Sequence, residues 1–235
     1  MLTSRRQQWF IITKIELQKI WANHLISLTV AAFTALLLIK RGNTWETFSS
    51  NALIFLVSVV GLVGFAVISS WVFAREYTDG TFKDLLALPI SRSRLFFGKL
   101  VAIEIATFII TALASLITLT LGVILFRTSV TTLNVLAWLS KVWHAFGQNL
   151  ILAYLWPLVA VKTKNTILPA ALAFITLIIG IIFASQPLGQ FIPWAIPGYT
   201  MANSGVPLIS HFIILLIGYI GIYGTLFVWK HQDQA

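Results

Sequence analysis

Six long apolar segments, separated by short polar stretches, account for most of this sequence. They cover residues 21–39, 52–73, 95–126, 136–161, 167–184 and 209–229. A helix needs about 20 mostly apolar residues to cross a bilayer. The third segment is longer than that, so it is expected to tilt or protrude. The pattern predicts an all-α integral membrane protein with six transmembrane helices.

Residues 1–20 precede the first span and mix cations with apolar side chains. Arg5, Arg6, Lys14 and Lys19 lie among aromatic and aliphatic residues. Such a composition is typical of a helix that lies at the membrane interface, with its long cationic side chains reaching the lipid headgroups. We therefore predict an N-terminal interfacial helix.

The rest of the chain, residues 21–235, is predicted to form one six-span domain with two distinctive loops. The loop at 75–99 holds frequent charges between two apolar runs. The loop at 185–208 is uncharged and rich in proline and aromatic residues, so it is expected to fold back on the outer leaflet. The pattern leaves open whether that outer loop gates an exit or caps the bundle.

The 75–99 loop carries its own start and stop signals. Gly80 can take the left-handed conformation that ends an incoming helix, and Thr81 is a candidate N-cap. Pro89 biases the residue before it away from the helical region. These signals predict a helix of two turns at 82–88.

On that short helix Phe82, Leu85 and Leu86 are spaced i, i+3, i+4 and would form one apolar ridge. The ridge could rest on lipid or on neighbouring helices. It could equally project as a knob that a soluble partner binds. The spacing alone leaves both interpretations open.

Composition and charge agree with a membrane protein and set its orientation. The chain is 58% hydrophobic and 10% charged, and it has no cysteine, which excludes disulfides and Cys-based metal sites. The net charge of +9 could suggest nucleic-acid binding. It is better explained by lysines and arginines that lie mainly on one membrane face. The cations of that face are Arg5, Arg6, Lys14, Lys19, Arg75, Lys83, Arg92, Arg94, Lys99, Lys162, Lys164 and Lys230. The positive-inside rule therefore puts both termini and the 75–99 loop in the cytoplasm.

Polar residues within the spans are the remaining candidates for chemistry, because they are costly in a membrane. Lys141, His144 and Gln148 share one face of the fourth span, with Asn149 beside them. They could line a substrate pathway, or they could bond to neighbouring helices. Near the cytoplasmic end of the third span, Glu104 is expected to pair with a nearby cation, Lys99 or Arg94.

Catalytic and nucleotide-binding motifs are missing from the sequence. No phosphate-binding loop is present, and no metal-binding or catalytic pattern was found. We therefore predict no catalytic residues, no metal and no cofactor in this chain.

Residues 76–99 resemble the loop between spans two and three of type-2 ABC transporter permeases, the ABC-2 type. That family has an acid, Gly-Thr, two leucines, Pro, Ser-Arg and Gly-Lys in this order. The matching residues are Glu76, Gly80, Thr81, Leu85, Leu86, Pro89, Ser91, Arg92, Gly98 and Lys99. Residues 191–198 are similar to the outer segment of bacitracin-efflux and lantibiotic-immunity permeases.

The resemblance implies a permease subunit of an ABC exporter in the plasma membrane. Two cytoplasmic ATPase subunits would bind ATP and Mg, and a second permease subunit would complete a homo- or heterodimer. The exporter would move an amphipathic or hydrophobic substrate, such as a peptide antibiotic.

The resemblance also makes the short helix at 82–88 a coupling helix. Phe82, Leu85 and Leu86 would insert into a cleft of the ATPase. The contact would be framed by Glu76, Arg92 and Arg94, and Lys99 would anchor the third span. Gly80, Thr81 and Pro89 complete the implied ATPase-coupling set.

Two other classes of function compete with this reading. A secondary carrier or channel without an ATPase would use Lys141, His144 and Gln148 as an ion-coupling site. An intramembrane enzyme would need clustered catalytic residues at one depth, which the sequence does not offer. A neighbouring gene for an ATPase would favour the permease.

Overall fold

The computed structural model describes residues 5–87, 89–127, 129–203 and 206–231, and every regular element in them is helical. The elements are α1 (Arg5–Ala22), α2 (Leu25–Ile39), α3 (Trp45–Phe55), a π-helix (Leu56–Gly64), α4 (Phe65–Thr78), α5 (Phe82–Ala87), α6 (Arg92–Phe126), α7 (Thr132–Ala153), α8 (Leu155–Thr163), α9 (Ile167–Phe183), a 3-10 turn (Pro187–Phe191), α10 (Ile196–Ala202) and α11 (Leu208–His231). The all-α prediction is confirmed.

Four helical stretches among the described residues are long and apolar enough to cross a membrane. They are Trp45–Thr78, Arg92–Phe126, Thr132–Thr163 and Leu208–His231. The pair α1 and α2, bent by 49°, makes a fifth if its two parts form one crossing. Helix α9 is apolar but has only 17 residues. The structure thus gives four or five candidate spans where the sequence predicts six.

The chain bends near the predicted boundary between the N-terminal helix and the first span. Helix α1 continues to Ala22, His24 takes a left-handed backbone with φ of 56°, and α2 begins only at Leu25. The N–H of His24 donates to the carbonyl of Trp21 at 3.0 Å, which tightens the end of α1. The 15 residues of α2 rise about 22 Å, less than the 30 Å of a bilayer core. The predicted boundary between the N-terminal helix and the first span thus agrees with the structure to within a few residues, and the predicted span 21–39 begins at Leu25.

The second span is longer than predicted and changes helix type in its middle. A reciprocal pair of bonds between Thr44 and Thr47 caps α3, so the helix begins at Trp45 instead of residue 52. Over the nine residues of the π-helix, the backbone hydrogen bonds join residues five apart instead of four apart. Segments of this kind are rare and often lie at functional sites.

Asn149 of α7 bonds to this π-helix. Its side-chain Nδ2 donates to the carbonyl of Val57 at 3.1 Å. Gly61 makes the approach possible, because a Cβ there would lie 2.2 Å from the same nitrogen. The irregular backbone is thus partly satisfied by a side chain from a neighbouring helix, as the interior of a membrane requires.

The fourth span is broken at Tyr154, between α7 and α8. Pro157 has no N–H to donate to the carbonyl of residue 153, and its ring crowds that carbonyl. The N–H of Tyr154 instead donates to Ile151 at 3.3 Å. The predicted fourth span at 136–161 is confirmed as one candidate crossing, Thr132–Thr163, with a local irregularity at Tyr154.

Helix α11 packs closely along this broken span. Three glycines of α11 contact α7 and α8, and the residue numbers rise together on the two sides of the contact: Gly218 at Ile151, Gly221 at Tyr154 and Gly224 at Leu158. The contacting helices therefore run parallel, and α8 and α11 end on the same side. Helices α5, α8 and α11 all end or lie there, and we call this side the basic end of the bundle.

At the opposite end, the segment after α9 folds onto the bundle. Ala195 and Ile196 are fully buried. Thr200 donates its hydroxyl to the side-chain oxygen of Gln148 on α7 at 3.0 Å. The carbonyl of Trp194 lies against Gly180 of α9. This segment therefore covers the ends of α7 and α9.

The tight contact at Gly221 can be tested by adding one methyl group. A Cβ on Gly221 would lie 2.2 Å from the carbonyl oxygen of Tyr154, which is backbone and cannot move aside as a rotamer would. We expect Gly221→Ala to lower the free energy of unfolding by about 1–3 kcal/mol. Denaturation of the purified protein in mild detergent measures this loss.

Gly147→Ala is the matched control, since no heavy atom lies within 4 Å of its Cβ position in α7. It should be neutral or stabilising by up to about 1 kcal/mol. Equal losses for the two variants would contradict the close packing of α11 on the broken span.

Candidate functional site

The centre of the basic end is a fully buried lysine. Lys99 of α6 is 0% exposed. Its ammonium donates to the carbonyl of Val72 at 2.8 Å and to Glu76 Oε1 at 2.6 Å, and it lies 3.3 Å from Glu16 Oε2. An ammonium has three N–H donors, and each has a partner here. That complete pairing allows the charge to be buried.

A second lysine closes this group of charges. Lys19 Nζ lies 2.9 Å from Glu16 Oε1 and 3.3 Å from Glu76 Oε1. The two carboxylates are each 4% exposed. Two negative groups thus alternate with two positive ones, so the buried charge sums to zero. We call Glu16, Lys19, Glu76 and Lys99 the ionic cluster.

The ionic cluster fastens α1 to the bundle. Glu16 and Lys19 are spaced i, i+3 and so lie on one face of α1. The same face meets α6 at Gly98, where a Cβ would lie 2.5 Å from Cγ2 of Ile12. The hydroxyl of Thr13 donates to the carbonyl of Gly98 at 3.4 Å. This helix therefore packs on α6 along one face.

An aromatic group lies on the α5 side of the same end. Phe82 of α5 stacks on Tyr77 with ring centroids 4.3 Å apart and meets Trp229 of α11 at 6.1 Å. Phe73 and Phe96 lie 5.4 and 6.3 Å from the Trp229 ring. The indole of Trp229 donates to the Tyr77 hydroxyl at 3.2 Å. We call these five residues the aromatic cluster, and it holds α5 against α4, α6 and α11.

The left-handed backbone expected at Gly80 and the expected helix start at Phe82 are present in the structure. Gly80 has φ of 71°, and because no atom lies within 4 Å of its Cβ position, backbone conformation alone favours glycine. The N–H of Leu85 donates to the carbonyl of Thr81 at 3.2 Å, which starts α5. The predicted end at Leu88 lies outside the described residues.

For Phe82, the structure agrees with the interpretation in which the apolar ridge packs on neighbouring helices. Phe82 is 5% exposed and turned into the aromatic cluster, so it does not project as a knob in this chain. Leu85 is half-buried against the core, and the side chain of Leu86 lies outside what the structure describes. The exposed positions of α5 are instead Lys83, Asp84 and Ala87. We call these three the outer face of α5.

The charged residues expected to frame a partner contact make bonds within the chain. Glu76 belongs to the ionic cluster. Arg92 donates to the carbonyls of Trp229 at 2.9 Å and Lys230 at 3.3 Å, so its positive charge lies where the negative end of the α11 dipole favours it. Arg94 donates to the side chain of Gln8 on α1. Their role toward a partner stays a prediction.

The polar residues of the fourth span separate into two settings. Gln148 bonds to Thr200, and its Nε2 lies 3.2 Å from Nε2 of His144. Asn149 bonds to the π-helix. Lys141 has no hydrogen bond or ion pair within the described chain, and it lines a cavity at the opposite end. Of the four residues, Lys141 lines this cavity, and its side chain is exposed.

Two further outcomes concern isolated polar groups. Glu104 accepts a hydrogen bond from the hydroxyl of Tyr154 at 2.6 Å, so its expected pairing with Lys99 or Arg94 is wrong. Lys99 is already fully used in the ionic cluster. Within the described ranges, no group of three or more His, Asp or Glu side chains is arranged to hold a metal ion.

Comparison with known proteins gives two matches. A family model described as ABC-2 family transporter protein matches residues 12–180. A bacitracin transport permease protein, BCRB of Bacillus licheniformis, is 40% identical over 79 residues. That alignment covers 34% of this chain and 38% of the relative, so less than half of either protein is compared.

Removal of the buried ammonium tests the ionic cluster. Lys99→Met leaves two buried carboxylates facing Lys19 alone. The loss of one partner from a buried ion pair costs about 3–5 kcal/mol, so we expect a loss of that size in the free energy of unfolding. Denaturation in mixed detergent micelles measures it.

Asp79→Asn is the control, because it removes the exposed pair between Asp79 and Arg75, 2.9 Å apart. It should cost less than about 1 kcal/mol. If Lys99→Met were as harmless as the control, the cluster would not hold the basic end together.

Proposed function

This chain belongs to the ABC-2 family of transporter proteins, and on that premise we propose that it is the membrane permease of an exporter driven by a separate ATPase. It is a multi-pass membrane protein with a permease's apolar helices. The finer proposal concerns how the permease is arranged, what drives it and what it moves.

The arrangement proposed is six crossings in the plasma membrane with both termini in the cytoplasm. The four long helices supply four crossings, and the bent pair α1 and α2 supplies a fifth. Helix α9 supplies a sixth, where the bilayer is locally thinner. Twelve of the 16 Lys and Arg residues fall on the side of α5 in this arrangement, which supports its orientation. The part of α1 before its cluster contacts would then lie at the cytoplasmic interface.

The observation that carries the functional proposal is the construction of α5. It is a short helix held on one side by the aromatic cluster, with Lys83, Asp84 and Ala87 exposed on the other. A helix anchored in this way can transmit a push without bending. We assign it the role of coupling helix, with its outer face as the surface that meets the ATPase.

The partners follow from that role. Two cytoplasmic ATPase subunits bind ATP and Mg and hydrolyse ATP, while this chain stays non-catalytic. A second permease subunit, identical or related, completes the pathway. Membrane lipid surrounds the bundle.

The two clusters supply the path by which a displacement of α5 reaches the spans. Phe82 contacts Trp229, so a shift of α5 moves the end of α11. Tyr77 stacks on Phe82 and lies one residue from Glu76, which joins the movement to α1 and α6 through the ionic cluster. A rigid-body rocking of the bundle between inward-open and outward-open states is the proposed result.

The proposed substrate is an amphipathic or hydrophobic molecule, such as a peptide antibiotic, moved outward. The printed name of the bacitracin relative supports this class. The alignment covers only 38% of the relative, so the substrate of this chain is proposed here and is not taken over from that protein.

The outer face can be tested by enlarging its smallest exposed residue. Ala87→Trp should prevent co-purification of the ATPase and abolish substrate-stimulated ATP hydrolysis, because the bulk would separate two closely fitted surfaces. The thermal stability of the permease should not change, since position 87 is exposed. Both readouts use permease co-expressed with its ATPase and reconstituted in lipid.

Lys162→Trp, an equally exposed position at the end of α8, is the control and should retain the ATPase. Normal coupling in Ala87→Trp would remove the outer face from the contact. Phe82→Ala should behave differently from both, since it should lower stability together with coupling.

A further inference from the structure

An apolar groove of about 740 Å³ lies between α1, the start of α2 and the first half of α6. Its floor is a stripe of α6 in which Val101, Ile105 and Ile109 follow one another at every fourth position. Phe10 and Trp21 of α1 also line it, and they are 72% and 68% exposed. The groove therefore opens toward the surroundings of the bundle, which in a membrane are lipid.

Two long polar side chains of α1 enter this lining. Lys14 and Gln18 are spaced i, i+4, which brings their side chains together on one face of the helix. Both are exposed, and neither makes a hydrogen bond or an ion pair within the described ranges. They therefore offer an ammonium and an amide as neighbouring donors to one ligand group.

Among the described residues, no carboxylate lines the groove. The one acid of α1, Glu16, is turned to another face of the helix and belongs to the ionic cluster. Glu104 is next to Ile105 in the chain, but it accepts a hydrogen bond from the Tyr154 hydroxyl. The positive charge of Lys14 is thus not neutralised by the lining, so the groove favours an anionic group.

The donors and the apolar floor lie at different depths along α6. Thr13, which precedes Lys14, donates to the carbonyl of Gly98 and so gives the level of the lysine on α6. Val101 lies about 4.5 Å further along that helix, and Ile109 lies about 16.5 Å further. A cationic entrance followed by an apolar channel matches the arrangement of the headgroup and an acyl chain in a phospholipid.

We propose that this groove binds an anionic phospholipid, with its phosphate at Lys14 and Gln18 and one acyl chain along the α6 stripe. The orientation proposed above places the site in the cytoplasmic leaflet, where anionic lipids give the membrane surface its negative potential. A zwitterionic lipid also has a phosphate, but it brings its own cation to a site that offers no acid.

The bound lipid holds α1 against α6 from the side opposite the ionic cluster. Because the site uses neither the outer face of α5 nor the transported substrate, it goes beyond the proposed transport function. Lipid occupancy should stabilise the permease by mass action.

The test uses the full chain in phosphatidylcholine nanodiscs without any ATPase. The probe is phosphatidylglycerol with a diazirine in one acyl chain, and mass spectrometry maps its crosslinks. We expect crosslinks concentrated on residues 10–21 of α1 and 101–109 of α6. Phosphatidylcholine with the same diazirine should label these residues about fivefold less. Glycerol 3-phosphate should not compete, because it lacks the acyl chains.

Variants connect the labelling to the groove. Lys14→Gln should weaken labelling by the anionic probe about fivefold, as the loss of one lysine near an anionic lipid predicts, and Lys14→Arg should retain it. Lys162→Gln removes an exposed lysine at the basic end, outside the groove, and should leave labelling unchanged. Ile105→Trp fills the floor and should reduce labelling, whereas Ile178→Trp adds the same bulk to an exposed position of α9 and should not.

A thermal measurement gives a second readout. Phosphatidylglycerol should raise the Tm of the wild type above its value in pure phosphatidylcholine, and Lys14→Gln should lose most of that increase. The same increase in the wild type and in Lys14→Gln would contradict a phosphate contact at this lysine.

Equal labelling by the two lipid probes would overturn the proposal, and so would equal labelling of Lys14→Gln and Lys162→Gln. A second permease over the groove would overturn it as well. The chain has no cysteine, so Ile105→Cys carries a single thiol, and a disulfide between two copies would reveal that arrangement. None of these results bears on the Ala87→Trp test, because no ATPase is present here.

Discussion

The complete burial of the Lys99 ammonium constrains everything else at the basic end of the bundle. A charge with no access to water must be surrounded by acceptors, and here two carboxylates and one backbone carbonyl fill that role. The carboxylates come from α1 and α4, while the lysine comes from α6. None of these three helices can move at this end without leaving a charge unpaired. The ionic cluster therefore makes three separate segments of the chain behave as one body.

The aromatic cluster extends that body to α5 and α11, and the two clusters meet at neighbouring residues, Glu76 and Tyr77 of α4. The opposite end of the bundle is built differently. It holds a cavity between α3 with the π-helix, α7, α9 and the segment around α10. One end of the bundle is thus fixed by buried charges and packed aromatic rings, while the other end contains a cavity. This difference between the two ends is compatible with membership of the ABC-2 transporter family.

Much of the fold was predictable because hydrophobic length is a strong signal in a membrane protein. The start of the short helix was also predictable, since Gly80 and Thr81 carry local backbone information. The orientation of Phe82 was not, because periodicity groups residues on a face without saying which way that face turns. Its partner Trp229 is distant in the chain and offered no sign of the contact. The ionic cluster left one trace, an i, i+3 pair of Glu16 and Lys19 in an otherwise apolar helix.

The bend at the start of the first span and the irregularity within the fourth span show the other limit. Pro157 could have been recognised as the cause of the break at Tyr154, because its missing N–H acts four residues earlier. The bend at His24 has no proline or glycine to mark it. The cavity was out of reach for a different reason, since its lining comes from four separate segments. Of the four candidate pathway residues Lys141 lines it, whereas Gln148 and Asn149 bond to neighbouring segments and His144 bonds to Gln148 within α7.

The most direct measurement is photocrosslinking from α5 in cells that express the permease together with its ATPase. A photoreactive phenylalanine is placed at position 87 in one sample and at position 82 in another. The proposed coupling predicts crosslinks to the ATPase from position 87, and crosslinks within the permease, to the end of α11, from position 82. Crosslinks to the ATPase from position 82 and none from position 87 would contradict it. The apolar ridge would then be the coupling surface, and the burial of Phe82 would not persist in the assembled transporter.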